Sequence, residues 1–167
     1  MSIRVASASR CHHKPLSSKN SAIYYHPESR TISSVNGRSR KLSVQIVRLS
    51  DEIVHLYLDN NRLDESAFEG VKFQSVKTLS LRNNRVKDVN RFVKILNESF
   101  PNLKSLDILG NPVCAKEDFL EYEEIKDTIT SSLPSLKYFN GLKLSKFRES
   151  IDSCDSLEGS ISQDSFV

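Results

Sequence analysis

Hydrophobic and polar positions recur in a fixed order along the middle of the chain. Three segments, 53–63, 76–86 and 103–113, carry apolar side chains at the same four relative positions. Each also has an asparagine as its ninth residue. The three segments begin 23 and then 27 residues apart. In each of them two apolar residues are separated by a single residue, and this alternation predicts a short strand with one buried face. The chain is therefore predicted to form strands at a regular interval, each followed by a return segment.

The asparagine that follows each predicted strand is expected to have a structural role. Its amide can satisfy backbone groups that a turn leaves unpaired, so it is expected to point inward and to stack in an asparagine ladder. The ladder residues are Asn61, Asn84 and Asn111. Pattern and spacing are those of a leucine-rich repeat. The sequence thus predicts an α/β fold, a short leucine-rich repeat solenoid over 50–147, with a parallel sheet on its concave face and helices or turns on its convex face.

The second return segment is predicted to be a helix, because its apolar residues are spaced at i, i+3, i+4 and i+7. Those residues are Val89, Phe92, Val93 and Leu96. Asp88 is suited to cap the start of the helix, and Phe100 followed by Pro101 is expected to end it. The first return segment, 66–75, is shorter and contains Gly70, so a looser turn is expected there.

The last core face of a solenoid must be closed by an atypical unit. Residues 112–147 are predicted to form this C-terminal cap, with a charged helix over 115–132 and a strand-like segment over 133–140. One broad face of that helix carries Phe119, Tyr122, Ile125 and Ile129.

Residues 22–49 are predicted to cover the other end of the solenoid, although no repeat template fits upstream of residue 53. The segment 41–49 alternates apolar and polar residues, which favours a strand. Its alternating apolar positions are Leu42, Val44 and Ile46.

Charge divides the chain into three parts. Residues 1–50 hold nine Lys or Arg against one acid, residues 51–148 hold fifteen of each sign, and residues 149–167 hold five acids and no base. These polar, oppositely charged ends predict a disordered basic leader over 1–21 and a disordered acidic, Ser-rich tail over 148–167. Two other interpretations of the leader stay open: a patch for nucleic acid or acidic lipid, and a mitochondrial transit peptide.

No set of residues is arranged for catalysis, so we expect no enzyme and no cofactor. The isolated glycines form no phosphate loop, and there is no Gly-x-Ser-x-Gly elbow. Cys11, His12 and His13 have no second pair at zinc-ligand spacing, so no metal site is expected. The acidic run 117–124 is interpreted as the solvated face of a helix.

Composition places the protein in a reducing compartment. Three scattered cysteines are too few for a disulfide framework. The longest apolar run, 22–25, is far shorter than the roughly 20 residues of a membrane span. No apolar h-region follows the start, so we expect no secretory signal. We expect a cytoplasmic monomer without a transmembrane segment, with a nuclear location as the alternative.

Candidate partner-binding residues lie at the strand positions that point away from the core, because these positions stack into columns on the concave sheet. Tyr57, Arg82 and Asp107 are predicted as the centre, since tyrosine and arginine cover a large area and donate hydrogen bonds. His55, Asp59 and Lys104 are predicted as the rim. The alternative is that all six are solvated strand residues.

Three stretches carry a resemblance to a known class of proteins. They are HLYLDNNRL at 55–63, LSLRNNRVKD at 79–88 and LDILGNPVC at 106–114. The chain resembles the short intracellular class of leucine-rich repeat proteins, which includes the spliceosomal A-prime protein, acidic nuclear phosphoproteins and several ciliary proteins. Within that class it is similar, over roughly 50–147, to the leucine-rich melanocyte differentiation-associated family.

The resemblance implies a non-catalytic scaffold or adaptor that binds a protein through its concave sheet. It implies a role in melanocyte differentiation or in trafficking to endosomes and lysosome-related organelles, with a Rab-type small GTPase or an endosomal sorting complex as partner. The rest of the class leaves two alternatives, a ribonucleoprotein component and a ciliary or cytoskeletal protein. The balanced charge of 51–148 argues against direct contact of the repeats with nucleic acid.

Overall fold

The computed structural model describes residues 14–15, 23–114 and 119–144. The tail at 148–167, the Cys11–His13 cluster and most of the leader at 1–21 lie outside the described residues. The strands are β1 (Lys14–Pro15), β2 (Ile23–His26), β3 (Thr31–Ser34), β4 (His55–Tyr57), β5 (Thr78–Ser80), β6 (Ser105–Asp107), β7 (Tyr138–Phe139) and β8 (Leu142–Lys143). The helices are α1 (Val44–Arg48), α2 (Val89–Ser99) and α3 (Phe119–Ser132), with short 3-10 turns at Glu65–Phe68 and Pro112–Cys114.

All eight strands join one open sheet, and their order in the sheet follows their order in the chain. Strands β3 to β7 are parallel, whereas β1–β2–β3 and β7–β8 are antiparallel hairpins at the two ends. The pairing aligns one row of buried core residues, each at most 2% exposed. The row consists of Ile32, Leu56, Leu79, Leu106 and Phe139. The predicted α/β class is confirmed.

The return segments cover the core on the other side of the sheet. Helix α2 begins after Asp88, whose Oδ1 accepts a hydrogen bond from the Arg91 amide (3.0 Å), and its C-cap is Phe100, as predicted. The Phe100 ring stacks on Phe73 with 4.9 Å between ring centroids. The shorter first return contains the 3-10 turn and a positive φ of 73° at Gly70, which fits the predicted loose turn.

Three buried asparagines connect neighbouring strands. In each, the amide nitrogen donates to a carbonyl in the preceding strand region, and the amide oxygen accepts a backbone N–H from the preceding turn. The three residues are Asn61, Asn84 and Asn111, with 7%, 6% and 0% of their surface exposed. Each amide therefore ties two successive turns together and satisfies backbone groups that would otherwise be buried without partners.

Residues 44–48 form helix α1, so the predicted strand at 41–49 is wrong. The Ser43 hydroxyl caps the helix by accepting the amide hydrogen of the residue two positions later. Ile46 is 2% exposed whereas Val44 is 65% exposed, which removes one member of the apparent alternation. Leu42, Ile46 and Leu49 follow the helical i, i+4, i+7 spacing instead, and both leucines pack against the core.

The parallel sheet extends one strand further toward the N-terminus than the sequence pattern indicates. Ile32 pairs in register with Leu56, 24 residues later. Asn36 and Asn60 share a positive φ, 60° and 55°, at the turn that follows their strands. A buried ladder asparagine is missing here because Gly37 stands in its place. The sequence pattern predicts no repeat upstream of residue 53. The ladder asparagine is indeed missing there, but the strand is present.

Asn140 closes the other end of the parallel strands. Its Oδ1 accepts a hydrogen bond from the Ile108 amide (2.9 Å). The equivalent amide one strand earlier, that of Leu81, donates instead to a backbone carbonyl, that of Asp107 (2.8 Å). Its Nδ2 donates to the Tyr122 hydroxyl on α3 (3.0 Å). A single side chain therefore joins β6, the terminal hairpin and α3. Ile125 and Ile129 of the predicted helix face are buried in the core.

Candidate functional site

One face of the sheet packs on the core and the other, which we call the outer face, points away from it. Two columns of residues cross the outer face, one residue per strand. The first column holds Thr31, His55, Thr78, Ser105 and Tyr138. The second holds Ser33, Tyr57, Ser80 and Asp107. The structure thus places the predicted residues His55, Tyr57 and Asp107 on one surface.

A chain of contacts crosses the outer face where the strands end. Asp59 Oδ1 accepts hydrogen bonds from the Ser80 hydroxyl (2.6 Å) and the Arg82 amide (2.9 Å). Arg82 Nε lies 3.5 Å from Asp107 Oδ2. The other Asp107 oxygen accepts from the Leu109 amide (3.2 Å). Asp59, Arg82 and Asp107 therefore come together, and the two carboxylates are oriented by the backbone of the sheet.

The ion pair between Arg82 and Asp107 is exposed on the arginine side. The side chains are 50% and 22% exposed. Such an ion pair contributes little to folding, because water screens it. The guanidinium thus lies beside Asp107, while about half of the Arg82 side chain stays accessible.

Tyr57 lies at the centre of its column, between Ser33 on β3 and Ser80 on β5. It is half-buried, and none of the described residues hydrogen-bonds its hydroxyl. His55, two residues earlier on the same strand, has its Nδ1 3.0 Å from the Thr78 hydroxyl. Both neighbours of Tyr57 in its column are serines, whose side chains are much smaller than the tyrosine ring.

Lys104 does not join this cluster, because it stands before β6 whereas Arg82 follows β5. The Lys77 carbonyl accepts hydrogen bonds from two backbone amides of the next strand region, including that of Lys104. The Lys104 carbonyl does the same for the amide of Lys137, so the backbones of the three lysines lie side by side. All three lysines are exposed. We call Lys77, Lys104 and Lys137 the lysine edge.

The hairpins at the two ends of the sheet add aromatic residues that the sequence pattern misses. Register places Tyr24 beside Ser33 and Lys143 beside Tyr138. Tyr24 and Tyr138 are 39% and 43% exposed. A signal for Tyr138 is present, since LPSLKYF at 133–139 matches FPNLKSL at 100–106. No comparable signal precedes Tyr24, because its strand belongs to an antiparallel hairpin.

The described residues offer little reactive chemistry. Among residues 14–15, 23–114 and 119–144, no three or more His, Cys, Asp or Glu side chains are grouped to hold a metal ion. Burial raises the pKa of the Cys114 thiol to about 11. The thiol is therefore protonated at neutral pH, and a protonated thiol is a poor nucleophile.

No helix within the described ranges has the length and apolar character needed to cross a membrane.

Comparison with known proteins shows a similarity to a human protein. No family model matches the chain. The chain is 30% identical over 118 residues to the leucine-rich melanocyte differentiation-associated protein of Homo sapiens. The alignment covers 66% of this chain and 59% of that protein, so the chain spans less than two thirds of the relative's length. The resemblance predicted from the three matched segments is confirmed.

Proposed function

We propose that this chain is a short leucine-rich repeat solenoid that acts as a non-catalytic scaffold or adaptor and binds a protein partner through the outer face of its sheet. The observation that carries the proposal is the register of β4, β5 and β6, which aligns His55, Thr78 and Ser105 in one column and Tyr57, Ser80 and Asp107 in the next. Hydrogen bonding between neighbouring strands holds successive residues of each column about 4.8 Å apart. A partner would therefore meet a pre-organised surface, which lowers the entropy cost of binding.

Tyr57 and Arg82 are proposed as the anchors of this interface. Both residue types dominate measured interfaces, because they bury a large area and also donate hydrogen bonds. Arg82 is held by Asp107 at 3.5 Å and is still half-exposed. Asp59 fixes the backbone under Arg82 by accepting its amide hydrogen.

The biological setting of the proposal comes from the similar human protein. Its name places that protein in melanocyte differentiation. We extend this process to the present chain, with a Rab-type small GTPase or an endosomal sorting complex as the partner that the resemblance implies. A ribonucleoprotein or a ciliary role is the alternative.

The test is affinity purification of the tagged full chain, with partners identified by mass spectrometry. Tyr57→Ala and Arg82→Ala are each expected to lower recovery of the partner, since loss of an anchor costs about 2 kcal/mol, or roughly 30-fold in affinity. Arg91→Ala is the matched control. Arg91 is 53% exposed and pairs with Glu69 at 2.6 Å, but it lies on α2, behind the sheet.

Equal recovery from all three variants would exclude the outer face as the interface. A small GTPase or sorting subunits lost only in the outer-face variants would support the trafficking adaptor. Spliceosomal or axonemal proteins with the same loss would keep the binding face and replace the proposed process by one of the alternatives.

A further inference from the structure

A second surface of uniform charge lies at the turns that follow the strands. It consists of five exposed cationic residues, which we call the arginine edge. They are Arg38, Arg40, Lys41, Arg62 and Arg85. This surface is separate from the outer face and from the lysine edge, which stands at the opposite ends of the strands.

Backbone pairing brings the arginines into line. The Arg62 amide donates to the Ser39 carbonyl (2.9 Å), and the Arg85 amide donates to the Leu63 carbonyl (2.8 Å). Arg62 directly follows a ladder asparagine, and so does Arg85. Arg38 follows Gly37, which replaces the ladder asparagine of the first unit. The three arginines therefore occupy the same position in consecutive units, about 5 Å apart along the backbone stack.

The charges of the arginine edge are not neutralised within the described part of the chain. None of its five side chains takes part in an ion pair or a hydrogen bond with a described residue. The carboxylates that follow in sequence bind backbone amides instead: Asp64 bonds the Ser66 amide (3.0 Å), and Glu65 bonds the Asp88 amide (2.7 Å). Within residues 14–15, 23–114 and 119–144, the edge thus presents a row of cations whose side chains have no ion-pair or hydrogen-bond partner.

An exposed apolar residue lies at the same end of the molecule. Val44, on α1, is 65% exposed. Leu42 and Ile46 line one small cavity together with Asn61, which places α1 beside the turn that carries Arg62. Val44 is also only three residues after Lys41, so an exposed apolar side chain lies close to the cations of this edge.

We propose that the arginine edge and Val44 bind the surface of an anionic phospholipid membrane. Guanidinium groups donate paired hydrogen bonds to phosphate oxygens, and several of them along one edge can meet several headgroups at once. Val44 then enters the boundary between headgroups and acyl chains. Single-stranded nucleic acid is less well matched, because its bases need aromatic side chains to stack on and the edge has none. This binding is independent of the proposed protein-binding face.

The test is co-sedimentation of the full chain with vesicles of phosphatidylcholine alone and of phosphatidylcholine with phosphatidylserine. Binding is expected only with phosphatidylserine. Each basic residue near an anionic surface strengthens binding about fivefold, so the triple variant Arg38→Glu, Arg62→Glu, Arg85→Glu should bind about 100-fold more weakly or worse. The matched control, Lys77→Glu, Lys104→Glu, Lys137→Glu, changes the net charge equally at the lysine edge. It should lose less than about tenfold, since salt screens charges beyond about 8 Å.

A substitution that leaves the charge unchanged distinguishes binding to a membrane from binding to a soluble polyphosphate. Val44→Ser should weaken vesicle binding about fivefold, by removing an apolar contact, and should leave binding of inositol hexakisphosphate unchanged. Thermal unfolding must show that each variant is folded. If the Glu variant is not, the Arg38→Gln, Arg62→Gln, Arg85→Gln variant replaces it, and a loss of about 100-fold is then expected.

Three results would overturn the proposal. They are no preference for phosphatidylserine, equal losses in the arginine-edge and lysine-edge variants, and vesicle binding that Val44→Ser does not affect.

Discussion

Asparagine has two different roles at neighbouring positions of this chain. Asn84 is buried, and its amide satisfies backbone groups of two turns. Asn83, one residue earlier, is exposed, has a φ of 53° and donates to the Asn60 side chain (2.8 Å). The third segment has Gly110 at this position, where a Cβ atom would lie 2.0 Å from Asn83 Oδ1. A buried position takes an asparagine that satisfies the backbone, and an exposed turn position takes an asparagine that bonds its neighbour. Glycine stands where a Cβ atom has no room.

The buried asparagines are expected to be sensitive to truncation. Asn111 donates to the Leu81 and Ile108 carbonyls (2.7 and 2.8 Å) and accepts from the Val86 amide (3.0 Å). Asn111→Ala removes the partner of the Leu81 carbonyl and of the Val86 amide and should lower the free energy of unfolding by about 3 kcal/mol. Urea denaturation of the full chain measures this change. Asn97→Ala, at an exposed position of α2, is the control and should change stability by less than about 0.5 kcal/mol; equal effects would contradict the ladder.

At the scale of single elements, short segments depend on their neighbours for their conformation. Helix α1 has only five residues, and its period is ambiguous in sequence, because Leu42, Val44 and Ile46 fit a strand as well as Leu42, Ile46 and Leu49 fit a helix. The Ser43 cap and the contacts of the buried side chains with the core decide between them. Helix α2, with eleven residues and a full set of apolar positions, has no such ambiguity.

Two alanine substitutions distinguish the helix from the strand. Ile46→Ala should destabilise the protein by about 2–5 kcal/mol, since it opens a cavity in the core. Val44→Ala should change stability by less than about 0.5 kcal/mol, because this side chain is 65% exposed. Chemical denaturation compares the two variants. Similar large losses at both positions would support a strand with 44 and 46 on its buried face.

At the scale of the whole molecule, the sheet does not begin with the first recognisable segment. Strand β3 pairs with β4, and Ile23, Ile32 and Ile46 belong to the same core as the later leucines. The core residues of 50–147 are therefore covered at their N-terminal end by the hairpin and α1. The sequence pattern predicts this cover in residues 22–49, next to the solenoid range of 50–147.

A pair of truncations tests that continuity. A chain that starts at residue 50 should lose cooperative thermal unfolding and bind a hydrophobic dye, because Leu56 and Leu58 become exposed. A chain that starts at residue 22 keeps every core residue from Ile23 onward and should unfold close to the full chain. Circular dichroism and dye fluorescence give both results. An unchanged unfolding midpoint in the shorter chain would show that residues 22–49 do not support the core.

Local patterns in the chain were sufficient for the three matched strands, the ladder asparagines, α2 with its Asp88 cap and the outward positions Tyr57 and Asp107. Each of these depends on period and on side-chain chemistry over about ten neighbouring residues. Tertiary structure alone decided the remaining features, namely the strand at Thr31–Ser34, helix α1, the Arg82–Asp107 pair and the alignment of Arg38 with Arg62 and Arg85. These depend on hydrogen bonds and contacts between residues about 20 to 30 positions apart in the chain. When the local preference of a segment is weak or ambiguous, its conformation is set by pairing with the neighbouring strand.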